Sequence, residues 1–207
     1  MRSVVKSIDK FLYSITGQCY ISEELLNVKE DLILHISDTP SIIFSSIIRL
    51  INELKPRIII HTGDLVDNIK LELYPSMLPD YEKSLKPFLS ALEKTEADEL
   101  FIVPGNHDSL SFLKDNIKTA HIVPEGTVIS FNSKTLGFAH KIENLPNSAN
   151  YNFYGHNSDT FPNNDRVYLN GISNINIISM CTWKIYNILY PIGTNEARKI
   201  GMTFKTL

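Results

Sequence analysis

The sequence predicts an α/β fold in which a half built from parallel strands and crossover helices is followed by a half that is mostly β structure. Three observations carry this. Apolar, strand-like runs at 32–36, 58–60 and 99–103 are each closed by a polar loop, and a segment with helical spacing follows each of them. Two strand–helix–strand units in succession imply parallel pairing with right-handed crossovers. Beyond about residue 121 the helical patterns give way to short strand candidates separated by Asn, Ser, Pro and Gly.

Each element has its own signal. Residues 2–16 place Val4, Val5, Ile8, Phe11, Leu12 and Ile15 at helical spacing, an amphipathic helix that Gly17 ends. Its polar face is not strongly basic, so packing on the core is favoured over a membrane surface. Residues 18–30 are a connection with room for a short helix at 22–29. Leu32-Ile33-Leu34-His35-Ile36 reads as a buried strand. Thr39 then fits a helix N-cap and Pro40 the first helical position. The helix over 41–54 carries Ile43, Ile47, Leu50 and Leu54 on one face. Ile58-Ile59-Ile60 is a second strand, closed by Gly63. A helix over 76–95 turns Met77, Tyr81, Leu85, Phe88 and Leu92 inward. The strand at 99–103 and a helix near 109–118 follow, then strand candidates near 127–131, 136–140, 150–154, 167–170 and 174–180. No repeat or linker divides the chain, so one domain over 1–207 is expected, with 1–30 as an N-terminal helical extension.

Composition narrows the function classes. A chain of 207 residues with 43% hydrophobic and 21% charged residues is long enough, and apolar enough, to bury a large core. The net charge of −3 gives no electrostatic footprint for nucleic acid or an anionic membrane. Cys19 and Cys181 have no metal-ligand spacing and read as free thiols. No apolar run approaches the ~20 residues of a membrane span, and Lys6, Asp9 and Lys10 interrupt any signal-peptide core. A cytoplasmic protein is expected.

The chemistry lies in the loops that close the strands. The first three end in Ser37-Asp38-Thr39, Gly63-Asp64-Leu65-Val66-Asp67 and Gly105-Asn106-His107-Asp108. Two later strand ends carry His140 and Gly155-His156-Asn157-Ser158. Open α/β sheets place ligands beyond the carboxyl ends of their strands. Asp38, Asp64, Asn106, His140 and His156 make a mixed oxygen and nitrogen set that suits Mn, Fe, Zn or Ni rather than Ca.

The order and content of these loops resemble the calcineurin-like metallophosphoesterase superfamily. Its signature runs Asp-x-His, Gly-Asp-x-x-Asp, Gly-Asn-His-Asp, a lone His, then Gly-His-x-His. Gly63–Asp67 and Gly105–Asp108 match in full, and the matching segments span residues 38–158 in the same order. The resemblance implies a two-sheet β-sandwich flanked by helices, in αββα layers. It implies that Asp64 bridges two metal ions, that Asn106, His140 and His156 complete the second site, and that Asp38 serves the first. His107 would face the substrate, stabilising phosphoryl charge or protonating the leaving oxygen. Asp108 would orient that imidazole and Asp67 would support the ligands. The implied activity is hydrolysis of a small phosphomonoester or phosphodiester by a metal-bound hydroxide.

Two histidines of the signature are missing. Pro40 stands where Asp-x-His has its His, and Ser158 stands where Gly-His-x-His has its last. Both would serve the first site, so an altered first site and one tightly bound divalent transition metal per chain are expected. The first site could be empty, hold a harder ion such as Mg or Mn through Asp38, Asp64 and waters, or recruit Asp159. The alternative from a different class is a degenerate phosphoesterase fold used as a binding or assembly module. A DNA-repair nuclease would call for basic surface that this acidic chain lacks. His35 and His61, inside apolar runs, read as core or supporting histidines, and His121 as a surface one. Trp183, Tyr186 and Tyr190 fit core packing or an oligomer interface better than a substrate pocket.

Overall fold

Alternation along the central strands decides the architecture. The computed structural model describes residues 16–131, 133–160 and 165–198. The amphipathic helix expected over 2–16 lies, but for its last residue, outside the described residues. In chain order the elements are α1 (Glu23–Leu26), β1 (Leu32–Ile36), α2 (Phe44–Leu54), β2 (Ile58–His61), α3 (Leu78–Leu92), β3 (Glu99–Ile102), α4 (Leu110–Asn116), β4 (His121–Ile122), β5 (Thr127–Phe131), β6 (Lys134–Phe138), β7 (Tyr151–Tyr154), β8 (Val167–Asn170), β9 (Ile175–Ser179), β10 (Ile185–Ile188) and α5 (Thr194–Arg198).

Two mixed sheets form. The first runs β10-β9-β1-β2-β3-β4, with β1 to β4 parallel and β9 and β10 antiparallel. The second runs β5-β6-β7-β8, with β6, β7 and β8 parallel. On β1, Leu32, Leu34 and Ile36 face one core with α2 and α3, while Ile33 faces the other with Phe138 and Phe153. Strand side chains alternate between faces, so a sheet buried on both sides needs an unbroken apolar run. That is why the first strands read as continuous hydrophobic stretches. Ile47, Leu50 and Ile51 on α2 are fully buried, and each contributes roughly 1.5–3 kcal/mol through that burial.

The start of the second helix differs from the sequence expectation. Thr39 caps nothing. Its hydroxyl donates to Leu65 O at 2.9 Å and lies 2.9 Å from His61 Nε2, fastening the first loop to the second. The chain enters α2 through a 3-10 turn at Ser41–Ile43, and Asn68 Oδ1 accepts from the Ser41 N–H at 2.7 Å. Strand β10 also goes beyond the sequence reading, and the strand expected to begin at His121 is short. Strand β4 is only two residues long, and β10 forms a hairpin with β9 through a turn in which Trp183 is left-handed (φ 58°). Trp183 packs on Tyr151, and half-buried Tyr190 reaches beneath the first loop, where its hydroxyl donates to Gly171 O, so both serve packing.

No described helix is long and apolar enough to cross a membrane.

Candidate metal centre

Parallel strands in both sheets end at one edge of the sandwich, and the loops that leave them meet there. Loops after β1, β2 and β3 bring Asp38, Asp64 and 106–108, while the residues following β6 and β7 bring His140 and His156. Backbone hydrogen bonds lock the first two loops together, with Asp38 N–H donating to Gly63 O at 2.9 Å and Thr39 N–H to Asp64 O at 3.0 Å. Asp38, Asp64 and His156 all have left-handed backbone, with φ of 51°, 55° and 66°. Such a conformation costs a residue with a side chain about 1–3 kcal/mol, at the low end for Asp and His. Gly105 and Gly155 make the close approach feasible. A Cβ at Gly105 would run into the Asp64 carboxylate, and one at Gly155 into Ser37 Oγ and Asp38 Oδ2.

Four donor atoms converge on one point. His140 Nε2 lies 3.0 Å from Asn106 Oδ1, 3.1 Å from His156 Nδ1 and 3.5 Å from Asp64 Oδ2. Separations of this size are those of neighbouring ligands around one ion held by bonds of about 2.0–2.2 Å. Two imidazole nitrogens and a carboxylate this close form a set able to hold a metal ion. The tautomer of His140 also fits, because its Nδ1 lies 2.7 Å from Thr62 O. A carbonyl can only accept, so Nδ1 carries the proton and the Nε2 lone pair faces the cluster. Asn106 is oriented as well, since its Nδ2 donates to Glu72 Oε2 at 2.6 Å and its oxygen is left facing His140.

Electrostatics agree with a cation-seeking centre. Burial works to raise the Asp64 carboxyl, but pairing with His140 outweighs it and holds Asp64 well below the usual carboxylate range. Burial likewise works to lower His140, and the Asp64 carboxylate reverses this, pushing it up to about 10. Asp38 is pushed up to about 6 and Asp67 to about 8, by burial first and then by the neighbouring carboxylates. Burial lowers His107 and His156.

The first site has a different composition. Pro40 is buried without a donor atom, and Ser158 is exposed. Asp159, the candidate substitute, is also exposed, and Asn157 Nδ2 donates to its Oδ2 at 2.8 Å. The carboxylate of Asp67 joins those of Asp38 and Asp64, with one oxygen of each inside a 4.8 Å set. Asp67 is therefore closer to the centre than a supporting role implies. Its Oδ1 is taken by the Lys70 ammonium. Asp38 Oδ2 already accepts from Ser37 Oγ at 2.5 Å and from His156 N–H at 3.0 Å. No nitrogen ligand is present in this trio, so these residues do not fit a transition metal as the Asp64, Asn106, His140 and His156 set does.

Asp108 does not orient His107, contrary to the sequence expectation. Its Oδ2 accepts from Asp64 N–H at 2.7 Å and Gly105 N–H at 2.8 Å, and its Oδ1 from Leu65 N–H and Tyr81 OH at 2.9 Å. It is a clamp between the second and third loops. His107 Nε2 lies 3.2 Å from Asn106 Nδ2, and its buried Nδ1 has no hydrogen-bond partner. Both Asp108 oxygens are taken by the N–H groups of the tight turns and by Tyr81 OH, which leaves none for the neighbouring ring.

His35 and His61 are fully buried and held low, to about 3, chiefly by burial. His35 bridges Thr62 and Asn176, and His61 bridges Thr39 and the Gly63 N–H. Both support the loops. The sequence reading missed Arg198, which is wholly buried and donates to Asp38 O at 2.6 Å, Ile172 O at 2.8 Å and Ser37 O at 3.2 Å. Its guanidinium also covers the Tyr190 ring at 4.3 Å. No local pattern could reveal a contact spanning 160 residues. Glu72 and Tyr81 were likewise hidden in a loop and a helix face.

The profile of the family described as calcineurin-like phosphoesterase matches residues 32–198. A search among curated proteins finds no match. Among solved structures, YfcE, a phosphoesterase from E. coli, superposes with a TM-score of 0.52 at 15% identity, covering 77% of this chain and 99% of its own. A second solved chain superposes with a TM-score of 0.48 at 10% identity, covering 78% of this chain and 99% of its own.

Proposed function

The chain belongs to the calcineurin-like phosphoesterase family, and from that premise we propose that it is a metal-dependent phosphoesterase acting on a small phosphomonoester or phosphodiester. The observation that carries the reading is the convergence of Asp64 Oδ2, Asn106 Oδ1 and His156 Nδ1 on His140 Nε2. In this reading those four residues hold one divalent transition metal, of the kind that mixed N/O ligands favour (Mn, Fe, Zn or Ni). Such an ion, when bound, supplies a nucleophile at neutral pH and neutralises phosphoryl charge.

The chain's own groups do the rest. Asp108 holds the turn that aims Asp64, through three backbone N–H groups and Tyr81. Glu72 fixes the Asn106 amide so that its oxygen faces the ligand set. His107 is buried beside the ligand set, with its Nε2 3.2 Å from Asn106 Nδ2, and in this reading its ring meets a phosphoryl or leaving-group oxygen. Burial lowers the proton affinity of this ring. Asp38 and Asp67 form an altered first site in which one oxygen of each is already committed, Asp38 Oδ2 to Ser37 and His156 and Asp67 Oδ1 to Lys70. Unpaired Cys19 and Cys181 agree with a reducing, cytoplasmic setting.

The test is hydrolysis of an aryl phosphate and a bis-aryl phosphate by purified protein, with Mn, Zn, Ni or Fe(II) added singly. Turnover with at least one metal, lost with chelator and in H107A, supports the proposal. No turnover with any of them, with H107A matching the parent, would favour a binding or assembly module instead.

A further inference from the structure

The centre has a positive charge that the ligand set does not use. Lys70 lies three residues beyond Asp67, and its ammonium is paired with Asp67 Oδ1. The side chain of Asp67 is 1% exposed and that of Lys70 only 16%. Asp67 in turn shares the oxygen cluster with Asp38 and Asp64. Lys70 therefore reaches into the half of the centre where Pro40 and Ser158 remove the two imidazoles. A buried carboxylate needs a compensating cation. Asp64 has His140 beside it, Asp38 has the guanidinium of Arg198 behind its loop, and Asp67 has Lys70. Asp67 thus has a cation in direct contact without a second metal. A dication placed there would also sit next to an ammonium, which repels it.

Resting on the phosphoesterase reading above, we propose that the Lys70 ammonium takes the charge role of a second metal ion, so that the centre holds one divalent cation and Lys70 binds a phosphoryl oxygen of the substrate. The position suits this. Its partner Asp67 puts an oxygen into one cluster with those of Asp38 and Asp64, so the ammonium stands beside that cluster. Lysine binds phosphate as a compact point charge with three donors, and a four-carbon stem lets it turn from Asp67 to an incoming oxygen. A metal held by Asp64, Asn106, His140 and His156 would neutralise part of the phosphoryl charge, and the Lys70 ammonium would neutralise the rest.

The experiment uses the full chain, K70M and K70R, each checked for a native circular dichroism spectrum and thermal midpoint. Each is dialysed against Mn2+ and the metal bound per chain is measured. Inorganic phosphate is then titrated calorimetrically into protein holding one equivalent of Mn2+. The parent and K70R are expected to hold one tightly bound ion. K70M is expected to admit a second and, at one equivalent, to bind phosphate about tenfold more weakly, the share of one charge-assisted hydrogen bond. Two comparably tight ions in the parent overturn the proposal, as does K70M with unchanged stoichiometry and phosphate affinity. Two ions together with turnover would overturn the role of Lys70 alone, whereas no bound metal and no turnover would overturn the phosphoesterase reading with it.

Discussion

Replacing Asp108 separates a loop clamp from a partner of the catalytic imidazole. The carboxylate takes four hydrogen bonds, three of them from backbone N–H groups of Asp64, Leu65 and Gly105 and one from Tyr81 OH. D108A leaves all four donors without their acceptor. Hydrogen bonds to a charged group contribute about 1.5–3 kcal/mol each, and a stranded donor costs about 1–3. Asp108 is half-buried, so water replaces part of this and the sum does not add. A loss of about 3–5 kcal/mol is the worked figure, a large share of an ordinary domain's 5–15. D108N is milder. With its amide nitrogen turned toward Tyr81, whose hydroxyl can accept instead of donate, only Leu65 N–H loses its partner, at about 1–3 kcal/mol. Urea unfolding of metal-free parent, D108N and D108A gives the three stabilities directly. Metal affinity should fall in the same order, because the clamp fixes the backbone of Asp64. If D108A unfolds within about 1 kcal/mol of the parent and only the pH profile of turnover moves, the clamp argument is wrong and Asp108 acts through His107 after all.

Three other perturbations follow from the same geometry. H107A should lower kcat by about 10²–10⁴, the range for a lost acid or charge-stabilising group, with a loss of stability of about 2–3 kcal/mol from the cavity a buried ring leaves; turnover equal to the parent's would contradict the role of His107. G155A should weaken metal binding and cost about 1–3 kcal/mol by overpacking, because the added methyl meets Ser37 and the Asp38 carboxylate; isothermal titration with Mn2+ alongside thermal melts reads both effects. The pH trend of the metal-free protein has a defined sign. His140 is raised to about 10 and Asp67 to about 8, so between pH 7 and 9 the folded chain holds protons that the unfolded chain has released. Stability should fall across that window, by at most about 1.4 kcal/mol per pH unit for each proton. The lowered histidines His35 and His61 do not oppose this, because in both states they have lost their protons above pH 7. Melting curves that rise from pH 7 to 9 without metal would show the paired His140 to be wrong.

Much of the fold was legible because it depends on local pattern. The runs at 32–36 and 58–60 are apolar throughout since both faces of that sheet are covered, and the helix over 78–92 shows its buried stripe at Tyr81, Leu85, Phe88 and Leu92. Thr39 was misread for a local reason too. A threonine before a proline at a helix start is a good capping signal, and only the approach of His61 and Leu65 from another strand gives its hydroxyl better partners.

By itself, the sequence determined the strand–helix order, the loops that carry Asp38, Asp64, Asn106, His107, His140 and His156, and the two positions, Pro40 and Ser158, where the signature is broken. These follow from residue type and spacing along the chain. The tertiary structure decided what those residues do to one another. Which oxygens of Asp108 face which N–H groups, whether Asp67 enters the cluster, that Lys70 pairs with it and that Arg198 lies behind Asp38 all depend on loops converging from strands far apart in sequence. Charge and hydrogen-bond partnership are set by distances of a few ångströms in space, and the order of residues along a chain does not encode those distances until the sheets have closed.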